Sequence, residues 1–211
     1  MTATKTKIFY DTETTGMVLW NQPSEDPGQP RIIQIAAELV DIDSRVALEH
    51  LQFIIKPKGW IITDEIAELT GITQERAERE GVAIETVLPL FLALHDRATD
   101  GRVAHNKTFD DRMVRIEMMK AGIYSDEQME AFKAAPSYCT CTESTKIVNL
   151  PPTEKMLKAG RRQPKQPNLS EAYEFFTGQK LAGAHDAGND VVGCKSVYFG
   201  IQDYNGGVKA A

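Results

Sequence analysis

Residues 8–16 read IFYDTETTG, and they place two carboxylates, Asp11 and Glu13, directly after three large apolar side chains. The apolar run predicts a buried strand over Lys7–Tyr10 that ends at Asp11, because the small polar residues 14–16 break the pattern. Side chains at positions i and i+2 of an extended segment point the same way, so the two acids project together. Two carboxylates at the end of a buried strand are costly unless a cation neutralises them. The stretch therefore predicts a divalent metal site at the end of the first strand.

A further acid follows a second short strand. Residues 104–114 read AHNKTFDDRMV, and Asp110 lies at the predicted start of a helix, just after a strand predicted over Arg102–Asn106. Phe109 can pack beneath that helix while Asp110 turns outward. Asp110 could instead offset the dipole of the helix N-terminus, a role that Asp111 could equally fill. The local context favours Asp110 as a partner of the first two acids.

The last acidic group comes with a histidine. Residues 184–192 read AHDAGNDVV and contain His185 and Asp190, which are five positions apart. These two side chains converge best if His185 lies in a loop and Asp190 in the first turns of the following helix. Gly183 and Gly188 predict that this loop is mobile. A histidine beside a metal-binding aspartate is a candidate general base, because imidazole exchanges its proton near neutral pH.

The order of the predicted elements indicates one α/β domain. Two β-rich runs, Arg31–Asp41 and Val46–Ile55, follow the first strand and predict an antiparallel meander. Helices with capping residues then alternate with two short strands, so the sheet is mixed and flanked by helices. The last helix is predicted from about Ala187 to Ile201. We predict a single domain over residues 1–202 and a flexible, glycine-rich tail over residues 203–211.

Length and composition fit a water-soluble globular protein. The chain has 211 residues, which allows one substantial core. No apolar run approaches the roughly 20 residues of a membrane helix, and the N-terminal residues lack the apolar region of a secretory signal. Three cysteines form an odd set without the spacing of a zinc site, which predicts reduced thiols and a cytoplasmic location.

The net charge of −6 is unusual for a protein that binds nucleic acid, but the charges are unevenly distributed. Between residues 146 and 165 the chain carries six cations and a single acid, Glu154. Two interpretations stay open. The stretch is either a strip that holds a phosphate backbone while acids elsewhere hold metal ions, or a solvated loop.

The three acidic stretches together resemble the sequence motifs of the DEDDh 3′–5′ exonucleases, the DnaQ-like family. DTETTG, HNKTFD and HDAGND match its three motifs in order, and the resemblance spans Ile8 to Ile201. The TGIT stretch, Thr70–Thr73, also resembles a loop that contacts substrate in many members. The sequence departs from the family pattern at Gly188–Asn189 and at Val191, just around the last aspartate. The resemblance implies an RNase H-like fold with a five-stranded mixed sheet, in which three antiparallel strands are followed by parallel strands.

The resemblance also implies an activity and the residues that carry it. Two Mg²⁺ or Mn²⁺ ions would be held by four acids, which are Asp11, Glu13, Asp110 and Asp190. His185 would be the general base. The reaction would release nucleoside 5′-monophosphates from the 3′ end of DNA, preferentially single-stranded, by a two-metal mechanism. The residues expected at the terminal nucleotide are Thr12, Thr14, Gly16, Ile72, Asn106 and Phe109, although Ile72 and Phe109 could simply be core.

Two alternatives remain open at this point. One is an exoribonuclease of the same family, because sugar discrimination depends on the pocket around the 2′ position. The other is a non-catalytic module that binds nucleic acid or a polymerase, although such a module has no need to cluster acids near phosphates. The expected partner is a nucleic-acid 3′ end, with a polymerase or DNA repair assembly as a further partner class and no membrane. The oligomeric state is left open.

Overall fold

Five strands form one mixed sheet in the computed structural model, which describes residues 4–207. The strands are β1 (Thr6–Thr14), β2 (Ile32–Asp41), β3 (Ala47–Ile54), β4 (Arg102–Ala104) and β5 (Ser137–Cys139). Their order across the sheet is β3-β2-β1-β4-β5. The first three strands are antiparallel, and β4 and β5 run parallel to β1. The predicted mixed sheet is therefore confirmed.

Nine helices are found in the described part of the chain, and they surround the sheet. They are α1 (Asp64–Thr70), α2 (Gln74–Glu80), α3 (Ile84–His95), α4 (Lys107–Ala121), α5 (Asp126–Ala134), α6 (Thr140–Val148), α7 (Glu154–Lys158), α8 (Leu169–Thr177) and α9 (Ala187–Asn205). The starts of α5 and α8 are closed by capping boxes, Ser125 with Gln128 and Asn168 with Glu171. Both capping boxes are readable in the sequence.

Strand β1 continues past the predicted end at Asp11. Its backbone stays paired with β2 as far as Thr14, so that Asp11 faces Ala36 and Glu13 faces Gln34 in the ladder. This pairing satisfies the backbone groups on that side, and the polar side chains do not end the strand. Asp11 and Glu13 therefore lie within β1, an interior strand of the sheet.

The two faces of β1 pack against different helices. Ile8 and Tyr10 belong to the main core on the side of α3 and α4. Phe9 lies on the opposite face and packs with Val191 of α9. By the same alternation, Asp11 and Glu13 point to the α9 side of the sheet, as Phe9 does.

Parallel pairing brings the end of β4 to the same edge of the sheet as the end of β1. Strand β4 stops at Ala104 rather than at Asn106, because Asn106 adopts a left-handed conformation (φ 62°) and precedes the helix. Helix α4 consequently begins at Lys107 instead of Phe109. Asp110 is thereby placed in the first turn of α4, at this edge.

Helix α9 ends at Asn205 and not at Ile201, so it includes the first residues of the predicted tail. The added turn is held to the β2–β3 connection, where Arg45 Nη1 donates to Asp203 Oδ2 at 2.8 Å. Residues 208–211 of that predicted tail lie outside the described residues. Within residues 4–207, no helix combines the length and apolarity needed to cross a membrane.

Candidate active site

Three of the predicted groups converge beside the end of β1. One ligand atom from each of Glu13, His185 and Asp190 lies within 4.8 Å of the other two. Glu13 comes from β1, His185 from the loop before α9, and Asp190 from the first turn of α9. The structure therefore has His185 in a loop and Asp190 in the following helix, as the spacing of the two residues predicts.

Two hydrogen bonds from Thr12 hold the Asp110 carboxylate in position. The Thr12 backbone N–H donates to Asp110 Oδ1 at 3.0 Å, and the Thr12 hydroxyl donates to the same oxygen at 2.8 Å. Both residues are buried. Thr12, which the sequence places at the substrate, thus has its hydroxyl engaged in orienting a carboxylate.

Asp110 and its neighbour Asp111 have different surroundings. Asp111 accepts hydrogen bonds from Arg102 Nε at 2.8 Å and Lys107 Nζ at 3.0 Å, and also from the Tyr10 hydroxyl. Burial tends to raise the pKa of Asp111, but hydrogen bonds led by that from Arg102 outweigh burial and hold its pKa below the ordinary value. Asp111 is therefore a structural anion, and Asp110 is left to face the other acids.

The remaining carboxyl groups bind protons more tightly than usual. Burial raises the pKa of Asp110 to about 8 and that of Asp190 to about 6. Burial also raises the pKa of Glu13 to about 7, and the charges of Asp190 and Asp186 add to this effect. The pKa of Asp11 lies well above its ordinary value, first because of burial and then because the surrounding carboxylates repel its charge. Bringing these groups together as anions therefore costs free energy that a cation would offset.

The donor set fits divalent cations. Asp190 Oδ2 accepts from the His185 backbone N–H at 3.2 Å, whereas the other oxygen, Oδ1, is buried with no hydrogen-bond partner within residues 4–207. An orphaned carboxylate oxygen next to the Glu13 carboxylate is a natural ligand for a hard cation such as Mg²⁺ or Mn²⁺. Asp11 and Asp110 are not part of the cluster of ligand atoms that Glu13, His185 and Asp190 form, although the charges of Asp110, Asp190 and Glu13 all act on Asp11. The residues present therefore fit a cation at Glu13 and Asp190, with Asp11 and Asp110 as further acids nearby.

We predict that the metal-free protein loses stability as the pH rises from about 5 to about 8. The cluster carboxyls have unfolded-state pKa values near 4, but folded-state values of about 6 for Asp190, about 7 for Glu13 and about 8 for Asp110. Because the folded state holds more protons, its stability is greatest at low pH and falls through this window. The measurement is the midpoint of thermal unfolding in EDTA at about pH 5.5 and about pH 8.

Addition of Mn²⁺ provides the counterpart of that measurement. The cation should raise the unfolding midpoint more at pH 8 than at pH 5.5, because it competes with protons for the same oxygens. An equal rise at both pH values would argue that the ion binds somewhere other than this cluster.

The loop that carries His185 is closed by hydrogen bonds, which runs against the predicted mobility. Asn189 Nδ2 donates to the Gly183 carbonyl at 3.0 Å. A β-carbon at Gly183 would lie 2.4 Å from Asn189 Nδ2, and one at Gly188 would lie 2.4 Å from Gln52 Oε1. Both glycines therefore permit close packing. His185 itself takes a left-handed conformation with φ 67°.

A pair of amides that the sequence analysis missed anchors the start of α9. Asp186 caps the helix by accepting from the Asn189 N–H, and it also accepts from Gln34 Nε2 at 2.9 Å and Gln52 Nε2 at 3.1 Å. The Oε1 atom of the same Gln34 side chain accepts a hydrogen bond from the Ala187 N–H at 2.9 Å. No sequence feature near either residue indicates this pairing, because Gln34 and Asp186 are 152 positions apart.

We predict that Gln34→Leu lowers kcat by about 10–100-fold, the usual effect of losing a group that orients metal ligands. The variant removes one of the two side-chain amides that donate to Asp186 and also the acceptor of the Ala187 N–H, which loosens the start of α9 next to His185. The control is Thr6→Val, which removes a buried hydroxyl at the opposite end of β1. Rates and unfolding midpoints are measured for both variants. Loss of stability with an unchanged kcat in Gln34→Leu would contradict the positioning role.

The residues predicted to contact substrate differ in how accessible their side chains are. Thr14 is buried, and its hydroxyl donates to the Gly16 carbonyl at 2.8 Å. Ile72 is 1% exposed and packs in a small apolar cluster with Ile33, while Phe109 is half-buried against the main core. Asn106 is exposed at the edge of the sheet. Of these side chains, only that of Asn106 is openly accessible in the described structure.

Comparison with known families and structures gives a consistent result. The model of the RNase_T family, described as an exonuclease family, matches residues 8–197 of the chain. This match includes all five of the predicted catalytic groups. No curated protein sequence matches the chain significantly.

Among solved structures, E. coli exonuclease I in complex with a dA16 oligonucleotide superimposes with a TM-score of 0.72 at 20% identity, covering 95% of this chain and 41% of that chain. A zinc-bound E. coli exonuclease I–ssDNA complex superimposes with a TM-score of 0.66 at 18% identity, covering 95% of this chain and 41% of that chain. Cell-death related nuclease 4 gives 0.64 at 16% identity, with 97% and 65% covered. This chain thus spans about two fifths of the exonuclease I chains, and the likeness establishes the fold.

Proposed function

Because the chain belongs to the RNase_T exonuclease family, the DEDDh group of 3′–5′ exonucleases, we propose that it hydrolyses the 3′-terminal phosphodiester of DNA. The products are nucleoside 5′-monophosphates, and the preferred substrate is single-stranded. The observation that carries this proposal is the convergence of Glu13, His185 and Asp190 within 4.8 Å. Buried acids with raised pKa values complete the arrangement, which suits divalent cations and phosphoryl chemistry.

Each group has a role in this reaction. When bound by Asp11, Glu13, Asp110 and Asp190, two Mg²⁺ or Mn²⁺ ions supply a water of lowered pKa and stabilise charge on the leaving 3′ oxygen. His185 accepts the proton of the attacking water at a ring nitrogen. Thr12 keeps Asp110 oriented through two hydrogen bonds to Oδ1.

The substrate assignment draws on the solved relatives. Exonuclease I chains of this fold have been crystallised with dA16 and dT13 oligonucleotides and as an ssDNA complex. We therefore propose single-stranded DNA for this chain, with an exoribonuclease as the alternative. The three free cysteines support a reducing, cytoplasmic setting. The proposed context is DNA repair, beside a polymerase or a repair assembly.

A single assay tests the proposal. Labelled DNA and RNA strands of the same sequence, single- or double-stranded and with free or blocked 3′ ends, are incubated with Mg²⁺, Mn²⁺ or EDTA. We expect mononucleotides from unblocked single-stranded DNA, no product from blocked strands, and no product in EDTA. Faster release from RNA would favour the exoribonuclease. Strand binding without any hydrolysis would favour the non-catalytic module.

A further inference from the structure

A short projection between α6 and α8 carries a local excess of positive charge. This basic segment comprises residues 150–165 and is closed at its base, where the Lys165 N–H donates to the Leu150 carbonyl at 3.0 Å. Within it, the Thr153 hydroxyl caps the short helix α7. The Arg161 N–H donates to the Met156 carbonyl at 2.8 Å. The basic segment is therefore an ordered projection with its own hydrogen bonds.

Its charges are mostly unpaired. Four exposed cations of this segment form no ion pair with any residue in 4–207, and they are Lys155, Lys158, Arg161 and Arg162. Lys165 pairs with Glu171 outside the segment, and the only acid inside it, Glu154, lies in the first turn of α7. An acid at that position offsets the helix dipole and does not need a cationic partner. A solvated loop typically mixes both signs of charge, so this one-sided pattern favours a polyanionic partner.

The base of the segment is tied to the sheet edge that holds the acids. The Pro167 carbonyl, two residues beyond the segment, lies 3.1 Å from His105 Nε2, and His105 Nδ1 lies 2.9 Å from the Thr140 hydroxyl. His105 directly follows β4, whose end shares an edge with the end of β1. Burial lowers the pKa of His105 to about 4, so the ring is neutral at physiological pH and serves as a fixed link.

A cleft separates the segment from α6. It encloses about 520 Å³ and is lined by side chains that include Thr145, Met156, Arg161 and Lys165. The unpaired Arg161 with the apolar side chain of Met156 beside it can accommodate both the phosphate and the sugar of a nucleic-acid strand.

We propose that the basic segment binds the sugar–phosphate backbone of the substrate strand upstream of its 3′ end. This inference rests on the proposed function, since the strand must end at the acidic site. The cations attract the polyanion that the acidic site alone would repel, so a chain of net charge −6 can retain its substrate. The segment acts on long strands and leaves hydrolysis of the terminal bond itself unchanged.

The test neutralises the four exposed cations in one variant, Lys155→Gln/Lys158→Gln/Arg161→Gln/Arg162→Gln. For an oligothymidylate of about 20 nucleotides, KM should rise about tenfold or more with kcat little changed. For the p-nitrophenyl ester of thymidine 5′-monophosphate, which has no upstream strand, both constants should stay at the wild-type level. The slope of log binding constant against log salt, from anisotropy in EDTA, should fall by up to about 0.7 for each cation removed.

Two controls isolate the location and the sign of the charge. The charge-conserving variant, Lys155→Arg/Lys158→Arg/Arg161→Lys/Arg162→Lys, should keep the wild-type KM. A second set with the same change in net charge, placed away from the site, is Lys5→Gln/Arg45→Gln/Arg97→Gln/Lys133→Gln. It should raise KM far less than the neutralised segment does.

The outcomes separate this inference from the proposed function. Wild-type protein that hydrolyses neither substrate overturns the function. Wild-type protein that is active, with an unchanged KM and salt slope in the neutralised variant, overturns the role of the segment. Equal effects from both neutralised sets would also overturn it, because the effect would then belong to net charge alone.

Discussion

Replacing His185 by alanine is expected to lower kcat for release of the terminal nucleotide by about 10²–10⁴-fold, the usual range for loss of a general base. The imidazole lies within 4.8 Å of ligand atoms of Glu13 and Asp190, and no other histidine joins this cluster within the described residues. KM should change little, because the proton transfer matters only once the strand is bound. Single-turnover rates across the pH range from about 5.5 to 9 provide the measurement.

The backbone at His185 requires a second variant. Its φ of 67° is left-handed, a conformation that asparagine tolerates better than alanine. His185→Asn therefore removes the base and keeps the loop, and it should be as inactive as His185→Ala. Activity restored in His185→Asn would assign the effect to loop geometry. His50→Ala, at an exposed histidine on β3, should remain fully active.

The adjacent pair Asp110 and Asp111 gives the second large effect. Asp110→Asn keeps an oxygen that can accept both Thr12 hydrogen bonds but removes one of the charges that we propose to bind metal. We expect kcat below about one per cent of wild type, since even the loss of an outer partner of a metal ligand costs about 10–100-fold. The unfolding midpoint in EDTA at pH 8 should not fall, because burial raises the Asp110 pKa to about 8 and the fold no longer bears that charge.

Asp111→Asn should instead lower the stability of the protein and leave the activity of the folded protein intact. The Arg102 side chain is 2% exposed, and the exchange leaves its guanidinium without a counter-charge. Breaking a buried pair in this way costs up to about 3–5 kcal/mol of unfolding free energy. Denaturant titration and single-turnover rates below the new midpoint should show a less stable protein whose folded fraction is active. If instead Asp110→Asn is unstable and Asp111→Asn is inactive, the assignment of the two aspartates is reversed.

Local chemistry made much of the fold predictable. The strand patterns, the capping boxes of Ser125 and Asn168, and the alternation of strands with helices all act over a few residues. The same holds for the relation of His185 to Asp190, which follows from helix geometry. The end of β1 was wrongly predicted, because pairing with β2 overrides the polar character of residues 11–14.

The less predictable features depend on contacts between distant segments. Sequence gives two adjacent aspartates at the start of α4, and only Arg102 and Thr12 decide which one is structural. The glycines of the His185 loop suggest freedom, yet the Asn189 and Gln52 side chains occupy the space beside them. These contacts form only when folding brings distant segments of the chain together around the sheet.

The acids are dispersed over β1, α4 and α9, and this determines when the site can form during synthesis. A ribosome releases Asp11 early, whereas His185 and Asp190 follow only after β4 and β5 have been synthesised. Helix α9 must then settle on Phe9 through Val191 before the groups meet. A chain synthesised only as far as α8 therefore lacks both His185 and Asp190, and their cluster with Glu13 can form only after α9 has been made and has packed on the sheet.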